Sequence, residues 1–276
     1  MTPAVTVVVV TYRSAGTIDA CLASLTTQAE RLVVVDNASP DDTVTRVRKH
    51  GVEVIERPND GFAVAANAGL ATVTTDWVLF ANPDTEWPVG AVANLIEIAS
   101  VRPDAGVVSP VLNNPDGSVQ PTVEHDLTLG RLLRGLLRIG GAIRPTPPPL
   151  DGPPVSVEWV HAAALLMPTD VARAIGGWDE RYFLYGEDAD LCARVRRAGR
   201  TVLVVPSVTV THVGGASFAQ SMTTDDQAAL RVDAVGRYLE LHQGRWARRL
   251  YMAVATVAYA AVGHGAQRRA ASKRLR

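Results

Sequence analysis

The sequence has little of what would mark a secreted, membrane-spanning or nucleic-acid-binding chain. It carries 2 cysteines in 276 residues, Cys21 and Cys192, far apart and each in an apolar helical setting. Two such thiols build neither a disulfide framework nor a zinc site, and they read as reduced core residues of a cytosolic protein. An excess of one charge is missing too: 27 Lys and Arg face 28 Asp and Glu, a formal net charge of −1. No global field therefore draws the chain to nucleic acid. Long hydrophobic runs are also missing. The longest late stretch, LYMAVATVAYAAV at 250–262, falls short of the ~20 residues a spanning helix needs. The N-terminus runs into AVTVVVVTY with no basic region or small-residue cleavage site, so no signal peptide is expected. No GxGxxG follows the first apolar run, which disfavours a nicotinamide enzyme. No glycine-rich, lysine-containing loop follows it either, which disfavours a nucleotidyltransferase.

What the sequence does have is regular alternation. VTVVVVTY is a continuous β-branched run, as expected of a strand buried on both faces. A helical pattern at 16–27 is followed by RLVVVDN, then by the capped helix SPDDTVTRVRKH, then by GVEVIERP. GFAVAANAGLATV, DWVLFANPD, VGAVANLIEIASVRP and AGVVSPVL continue the order of helix, strand, helix and strand. Such alternation predicts βαβ units and a mostly parallel sheet, with ligands gathering beyond the carboxyl ends of the strands. Around 127–139 an amphipathic helix sets Leu129, Leu132, Leu133, Leu136 and Leu137 against Arg131, Arg134 and Arg138. RPTPPPLDGPP is a stiff connection. VEWVHAAALLMP then reads as a strand, TDVARAIGG as a short helix, TVLVVPSVTVTHV as the last strand region and 223–242 as a helix.

Several strand ends carry chemistry. Asp36 closes the second strand, where a carboxylate accepts hydrogen bonds from a nucleotide or caps the next helix. Asp84, in ANPDTEW, suits a hard divalent ion bridging a diphosphate, although Asn-Pro-Asp is also an ordinary turn. His212 follows the last strand and would complete such a site; a lone histidine there is more often structural. The densest signal is FLYGEDADLCARVRRAG at 183–199, with Glu187, Asp188 and Asp190 within four positions. A helix N-terminus favours acidic residues by ~0.3–1 kcal/mol each, which accounts for one or two of them. The aromatic segment WDERYFLYG before them would desolvate a carboxylate and raise its pKa, as a base requires.

Five elements in order, VVVVTYRS, VVVDNASPDDT, RPNDGFAVAANAGL, FANPDTEW and GGWDERYFLYGEDADLCARVRRAG, resemble the inverting family 2 glycosyltransferases. Within that family the chain is most similar to the rhamnosyltransferases that act on polyprenyl-diphosphate-linked sugars. The resemblance implies an α/β GT-A fold, a mostly parallel central sheet flanked by helices, with a C-terminal helical extension. It divides the chain into a catalytic domain at 1–220 (a nucleotide-sugar half at 1–112, an acceptor and catalytic half at 113–220) and a helical extension with a basic tail at 221–276. It implies that Thr11, Tyr12, Arg13, Asp36, Asn59, Gly61, Phe62, Asn67, Asn82 and Asp84 bind the nucleotide-sugar. Asp84 and His212 would hold Mg2+ or Mn2+, Asp188 would be the catalytic base, and Glu187 and Asp190 would support it. Trp159, His161, Trp178, Asp179 and Tyr185 would meet the acceptor. His161 stands where the family pattern has a small residue, and it is read either as an acceptor contact or as a core histidine, the commoner fate.

The expected reaction is transfer of a sugar, L-rhamnose from dTDP-rhamnose in the first reading, to a glycan or polyprenyl-diphosphate-linked acceptor in cell-envelope polysaccharide synthesis. The rival readings are a UDP-sugar donor (galactofuranose or N-acetylglucosamine) and a non-catalytic sugar-nucleotide or glycan-binding protein. The basic helix at 127–139 and the segment 250–276 suit a peripheral position at the inner face of the plasma membrane, or else a homodimer contact.

Overall fold

The computed structural model describes residues 4–137, 145–214 and 222–261. Its first half runs β1 (Val5–Thr11), α1 (Ile18–Leu25), β2 (Arg31–Asp36), α2 (Thr43–Lys49), β3 (Glu53–Glu56), α3 (Phe62–Ala71), β4 (Trp77–Ala81), β5 (Thr85–Glu86), α4 (Ala91–Ser100) and β6 (Ala105–Asn113). It continues with β7 (Val123–Glu124), α5 (Leu129–Leu136), β8 (Val155–Ser156), β9 (Trp159–Val160), β10 (Ala164–Pro168), α6 (Thr169–Ala174), α7 (Glu187–Arg197), β11 (Thr201–His212), α8 (Thr224–Gln243) and α9 (Arg245–Ala261).

The main sheet has the order β3-β2-β1-β4-β10-β6-β11-β5, with β8 on β11. β3, β2, β1 and β4 are parallel, β10 is inserted antiparallel between β4 and β6, and β6 and β11 are again parallel. β1 is buried along its whole length because both faces are covered. Its side chains alternate: Val8 and Val10 join one core with α3 and α7, while Val5, Val7 and Val9 join the other with α1 and α4. A third, smaller cluster ties Leu129 of α5 to Leu239 of α8 and to Tyr251 and Met252 of α9.

Two features depart from the expected strands. The stretch 157–168 is not one strand: β9 pairs with β7, the chain turns at 161–163, and β10 enters the main sheet. β11 is continuous but loses register between Val205 and Thr209. Pro206 lies in that gap, and a residue without an N–H cannot serve a ladder on that side. Among its described residues the proline-rich connection carries only an isolated bridge at Thr146, and the short β8 follows it. Parts of three expectations lie outside the described residues: the end of the basic helix at 138–139, the domain boundary at 220–221, and the tail at 262–276.

Candidate active site

A cavity of about 600 Å3 opens where β1, β2 and β4 end, bounded on its far side by β9, α5, α8 and the start of α7. Thr11 and Tyr12 line it where β1 stops, Asn37 beyond β2, and Asn82 and Pro83 beyond β4. Asp36 sits one layer behind. Its carboxylate accepts from the Thr11 hydroxyl at 2.7 Å and from the Ser39 N–H and hydroxyl at 2.8 and 2.6 Å, which fixes the loop after β2. Asn37 donates to the Gly61 carbonyl at 3.2 Å and leaves its Oδ1 buried without a partner.

Asn59, Gly61 and Phe62 form the next wall. Gly61 has φ +107°, and a Cβ there would lie 2.6 Å from the Phe183 carbonyl oxygen. Only glycine lets the two chain segments approach so closely. The Phe62 N–H donates to that same oxygen at 3.0 Å, so the segment before α7 is laid against the start of α3. Tyr185 and Gly186 then both take left-handed backbone, at φ +69° and +85°. An aromatic residue held there is strained, and the turn it completes aims the first residues of α7 into the cavity.

At one end of the cavity stand Asp84 and His212. Antiparallel pairing of β5 with β11 sets His212 opposite Thr85, beside Asp84. Asp84 is 2% exposed and both its carboxylate oxygens lack hydrogen-bond partners. His212 Nε2 stands 3.3 Å from Asp84 Oδ1. Gln120 settles the imidazole tautomer. Its amide nitrogen already donates to the His212 carbonyl at 2.7 Å and to Asn114 Oδ1 at 2.8 Å. Its Oε1 therefore faces Nδ1 at 2.8 Å as an acceptor, Nδ1 carries a hydrogen, and Nε2 is the nitrogen turned toward Asp84. A buried carboxylate without hydrogen-bond partners beside an imidazole nitrogen fits a divalent cation, which would relieve the unmet acceptors. Among the described residues no group of three or more such ligands exists.

Glu187 and Asp188 also line the cavity. Asp188 Oδ1 accepts from the Ala189 N–H at 2.8 Å. Burial lifts its pKa above the usual range, and the charge of His161 and the local backbone N–H groups oppose the lift. Glu187 is 7% exposed with Oε2 unpartnered, and burial together with the Asp188 charge pushes its pKa up to about 8. His161 lines the same space. Burial works against its charge, but the Glu124 carboxylate at 3.5 Å and the Asp188 charge outweigh burial and raise its pKa. Two carboxylates of raised pKa at the start of α7 thus share one pocket with the His161 imidazole.

The family model described as Glycosyl transferase family 2 matches residues 6–145. The chain belongs to glycosyl transferase family 2. This glycosyltransferase is 32% identical to the N-acetylglucosaminyl-diphospho-decaprenol L-rhamnosyltransferase of Mycobacterium tuberculosis, over 89% of this chain and 87% of that one. Its fold matches a mannosyltransferase from Pyrobaculum calidifontis solved with GDP-Man and Mn2+, at TM-score 0.59, 18% identity and coverage of 96% and 76%. It also matches the glucosyl-3-phosphoglycerate synthase of M. tuberculosis, solved with Mn2+, UDP and phosphoglyceric acid, at TM-score 0.57, 19% identity and coverage of 86% and 78%. The expected GT-A fold, with its mostly parallel sheet and C-terminal helices, is the fold observed.

Not every expected residue of the glycosyltransferase reaches the cavity. Thr11, Tyr12, Asn59, Gly61, Phe62, Asn82, Trp159, His161, Tyr185, Glu187, Asp188 and His212 line it. His161, read as an acceptor contact or a core residue, is at the cavity with its side chain 40% exposed. Arg13, Asp36, Asn67, Asp84, Trp178, Asp179 and Asp190 are not part of the lining, although Asp84 adjoins it through His212. Asn67 is a clamp: its Nδ2 donates to the Trp178 carbonyl at 2.8 Å and its Oδ1 accepts from the Trp178 N–H at 2.8 Å. Trp178 is buried in the core, edge-on to Phe62 and Phe80 at 5.1 and 5.2 Å. Asp179 pairs with Arg181 at 2.5 Å. Asp190, 1% exposed, accepts from Arg194 Nε and lies against His242 Nε2, both at 2.7 Å, which pins α7 to α8. Arg13 is exposed, and its N–H donates to Ser39.

Residues that sequence reasoning missed are Asn37, Glu124 and Gln120. Asn37 adjoins a residue that was singled out, so its signal was present. Glu124 and Gln120 lie in or beside a two-residue strand, and Gln120 meets His212 across 92 positions, a separation no local pattern reports.

Proposed function

We propose that the protein transfers a sugar, L-rhamnose from dTDP-rhamnose, with inversion, to a polyprenyl-diphosphate-linked N-acetylglucosamine. The observation that carries this reading is Asp188, a carboxylate of raised pKa lining a cavity whose walls come from both halves of the chain. The full-length relative with the matching printed activity supplies the sugar and acceptor classes.

On this reading Tyr12, Asn37, Asn59 and Asn82 hold the nucleotide-sugar across the strand ends. The 1–112 half forms that floor, while 113–220 and α8 of the 221–276 extension form the acceptor side. The Asp188 carboxylate accepts the proton of the acceptor hydroxyl as its oxygen attacks the anomeric carbon opposite the departing diphosphate. His161 and Trp159 border the acceptor sugar. Glu187, protonated near neutral pH, leaves Asp188 as the charged member of the pair. Asp84 and His212 are the residues that would hold Mg2+ or Mn2+. A bound divalent cation neutralises charge developing on a leaving diphosphate. The protein works from the inner membrane face, with α5 and α9 turned to the lipid.

The test joins binding to turnover. A thermal-shift panel of nucleotide-sugars with and without Mn2+ should show a metal-dependent shift with dTDP-rhamnose, ~2.7 kcal/mol at 100 times Kd. Asp188→Asn should keep that shift and lose transfer by at least 10^3-fold. Asp84→Asn should abolish its metal dependence. A shift with UDP-sugars alone would discard rhamnose; transfer by Asp188→Asn would remove the base; donor binding without turnover on any acceptor would favour a binding protein.

A further inference from the structure

The cavity lining includes Leu127, Leu132, Ala234 and Val235 from the α5 and α8 segments, and Arg231 of α8 lines the same space. Its guanidinium lies 4.5 Å from the centre of the Tyr185 ring. The other basic residues that line the cavity are engaged: His212 with Gln120 and Asp84, His161 with Glu124. Arg231 forms no ion pair among the described residues, although Glu124, Glu187 and Asp188 line the same space. A guanidinium parked on an aromatic face, with its five N–H donors unspent, is placed to receive planar or tetrahedral oxyanions.

We propose that Arg231 and this apolar wall form the subsite for a prenyl diphosphate, the lipid carrier portion of the acceptor. Arg231 binds the diphosphate, and Leu127, Leu132 and Val235 cover the first isoprene units. On this proposal the acceptor hydroxyl meets Asp188, the sugar lies beside Trp159 and His161, the diphosphate meets Arg231, and the hydrocarbon lies against the apolar lining from the α5 and α8 segments. The proposal deepens the reading given above and rests on it for the acceptor class. A permanent cation is required here because the charged lining carboxylates, Asp188 and Glu124, would otherwise repel a diphosphate from their own pocket.

The test titrates farnesyl diphosphate and farnesol into the full chain, with EDTA present so that phosphate–metal binding at Asp84 contributes nothing. Tryptophan fluorescence reports binding, since Trp159 lines the cavity. Farnesyl diphosphate should bind at least tenfold more tightly than farnesol. Arg231→Ala should weaken the diphosphate at least tenfold and farnesol less than twofold, and Arg231→Lys should recover part of the difference. The melting temperature of each variant guards against a folding defect, and its dTDP-rhamnose shift, measured separately with Mn2+ and without EDTA, reports the donor side. Equal loss for both prenyl ligands, no loss for the diphosphate, or loss of the donor shift would overturn the proposal. A wild-type protein that binds the diphosphate through Arg231 but gives no shift with dTDP-rhamnose would instead retire the donor assignment and leave this subsite standing.

Discussion

Glu187 and Asp188 are neighbours in sequence with different tasks, and the difference comes from burial. Both pKa values rise, and that of Glu187 reaches about 8 because its side chain is enclosed and faces the Asp188 charge. An acid whose folded pKa exceeds its unfolded value of 4.5 binds its proton more tightly when folded. Its contribution is therefore fully present below pH 4.5 and is lost as pH rises through about 8. Glu187→Gln, which keeps the neutral shape, should match the wild type in urea melts at pH 4.5 and exceed it at pH 8.5 by roughly 2–4 kcal/mol. Equal stability at pH 8.5 would show that Glu187 ionises freely. The same burial argument makes the two thiols inert: Cys21 and Cys192 are buried, and desolvation pushes each up to about 12. Both are free, as their sequence settings indicated. The placement of Asp188 and His212 at the cavity, with Asp84 beside His212, was legible because each closes a strand or opens a helix within a short marked stretch of sequence. Asn67 was misread for a geometric reason. Phe62 lines the cavity, and five residues further along α3 is about 140° round the helix, which turns Asn67 toward Trp178.

At the scale of elements, long periodic segments were legible and short ones were not. β1, β2 and β6 announce themselves as valine-rich runs, β4 as a short apolar run, and α3, α4 and α7 by their apolar spacing. β5, β7 and β9 have two residues each, too few to carry any period, yet they set His212 beside Asp84 and bring Glu124 to His161. The junction between α3 and the segment before α7 has the same long-range character. Asn67 joins them by two hydrogen bonds to the Trp178 backbone, and Gly177 leaves room for its amide, since a Cβ there would lie 2.4 Å from Asn67 Oδ1. Asn67→Ala strands a buried N–H and carbonyl of Trp178. The expected cost is about 1–3 kcal/mol in a urea melt. Because the segment it releases presents Tyr185, Glu187 and Asp188, transfer should fall more than donor affinity. A variant of unchanged stability would assign the junction to Phe62 and Trp178 packing instead.

At the scale of the whole molecule, the unusual surface is the helical unit of α5, α8 and α9. Among the described residues no helix is long and apolar enough to cross a membrane. Trp246, Leu250 and Val257 of α9 are nevertheless 64%, 43% and 70% exposed, and at 100° per residue they fall within about 40° of one another. Such a stripe on the outer side of a helix that already buries Ala247, Tyr251, Met252 and Ala255 is surplus to the core. Arg245 and Arg249 flank it, and the sequence beyond α9 adds Arg268, Arg269, Lys273, Arg274 and Arg276. Apolar burial plus ~1 kcal/mol for each basic residue near an anionic surface is enough for reversible binding. The exposed Leu137 next to α5 lies in the same unit, whose inner side lines the cavity with Leu127, Leu132 and Val235. Lipid contact outside and acceptor contact inside would then belong to one set of helices, so that an acceptor need not leave the bilayer to be modified. Sedimentation with phosphatidylglycerol vesicles checks this: the wild type should pellet at low salt and be released at high salt. Trp246→Ser, Leu250→Ser and Val257→Ser combined should weaken that binding at least tenfold, with donor shifts unchanged. If the triple variant instead converts a concentration-dependent dimer into a monomer and vesicle binding is untouched, the stripe is a subunit interface, and the lipid acceptor must reach the cavity by another route.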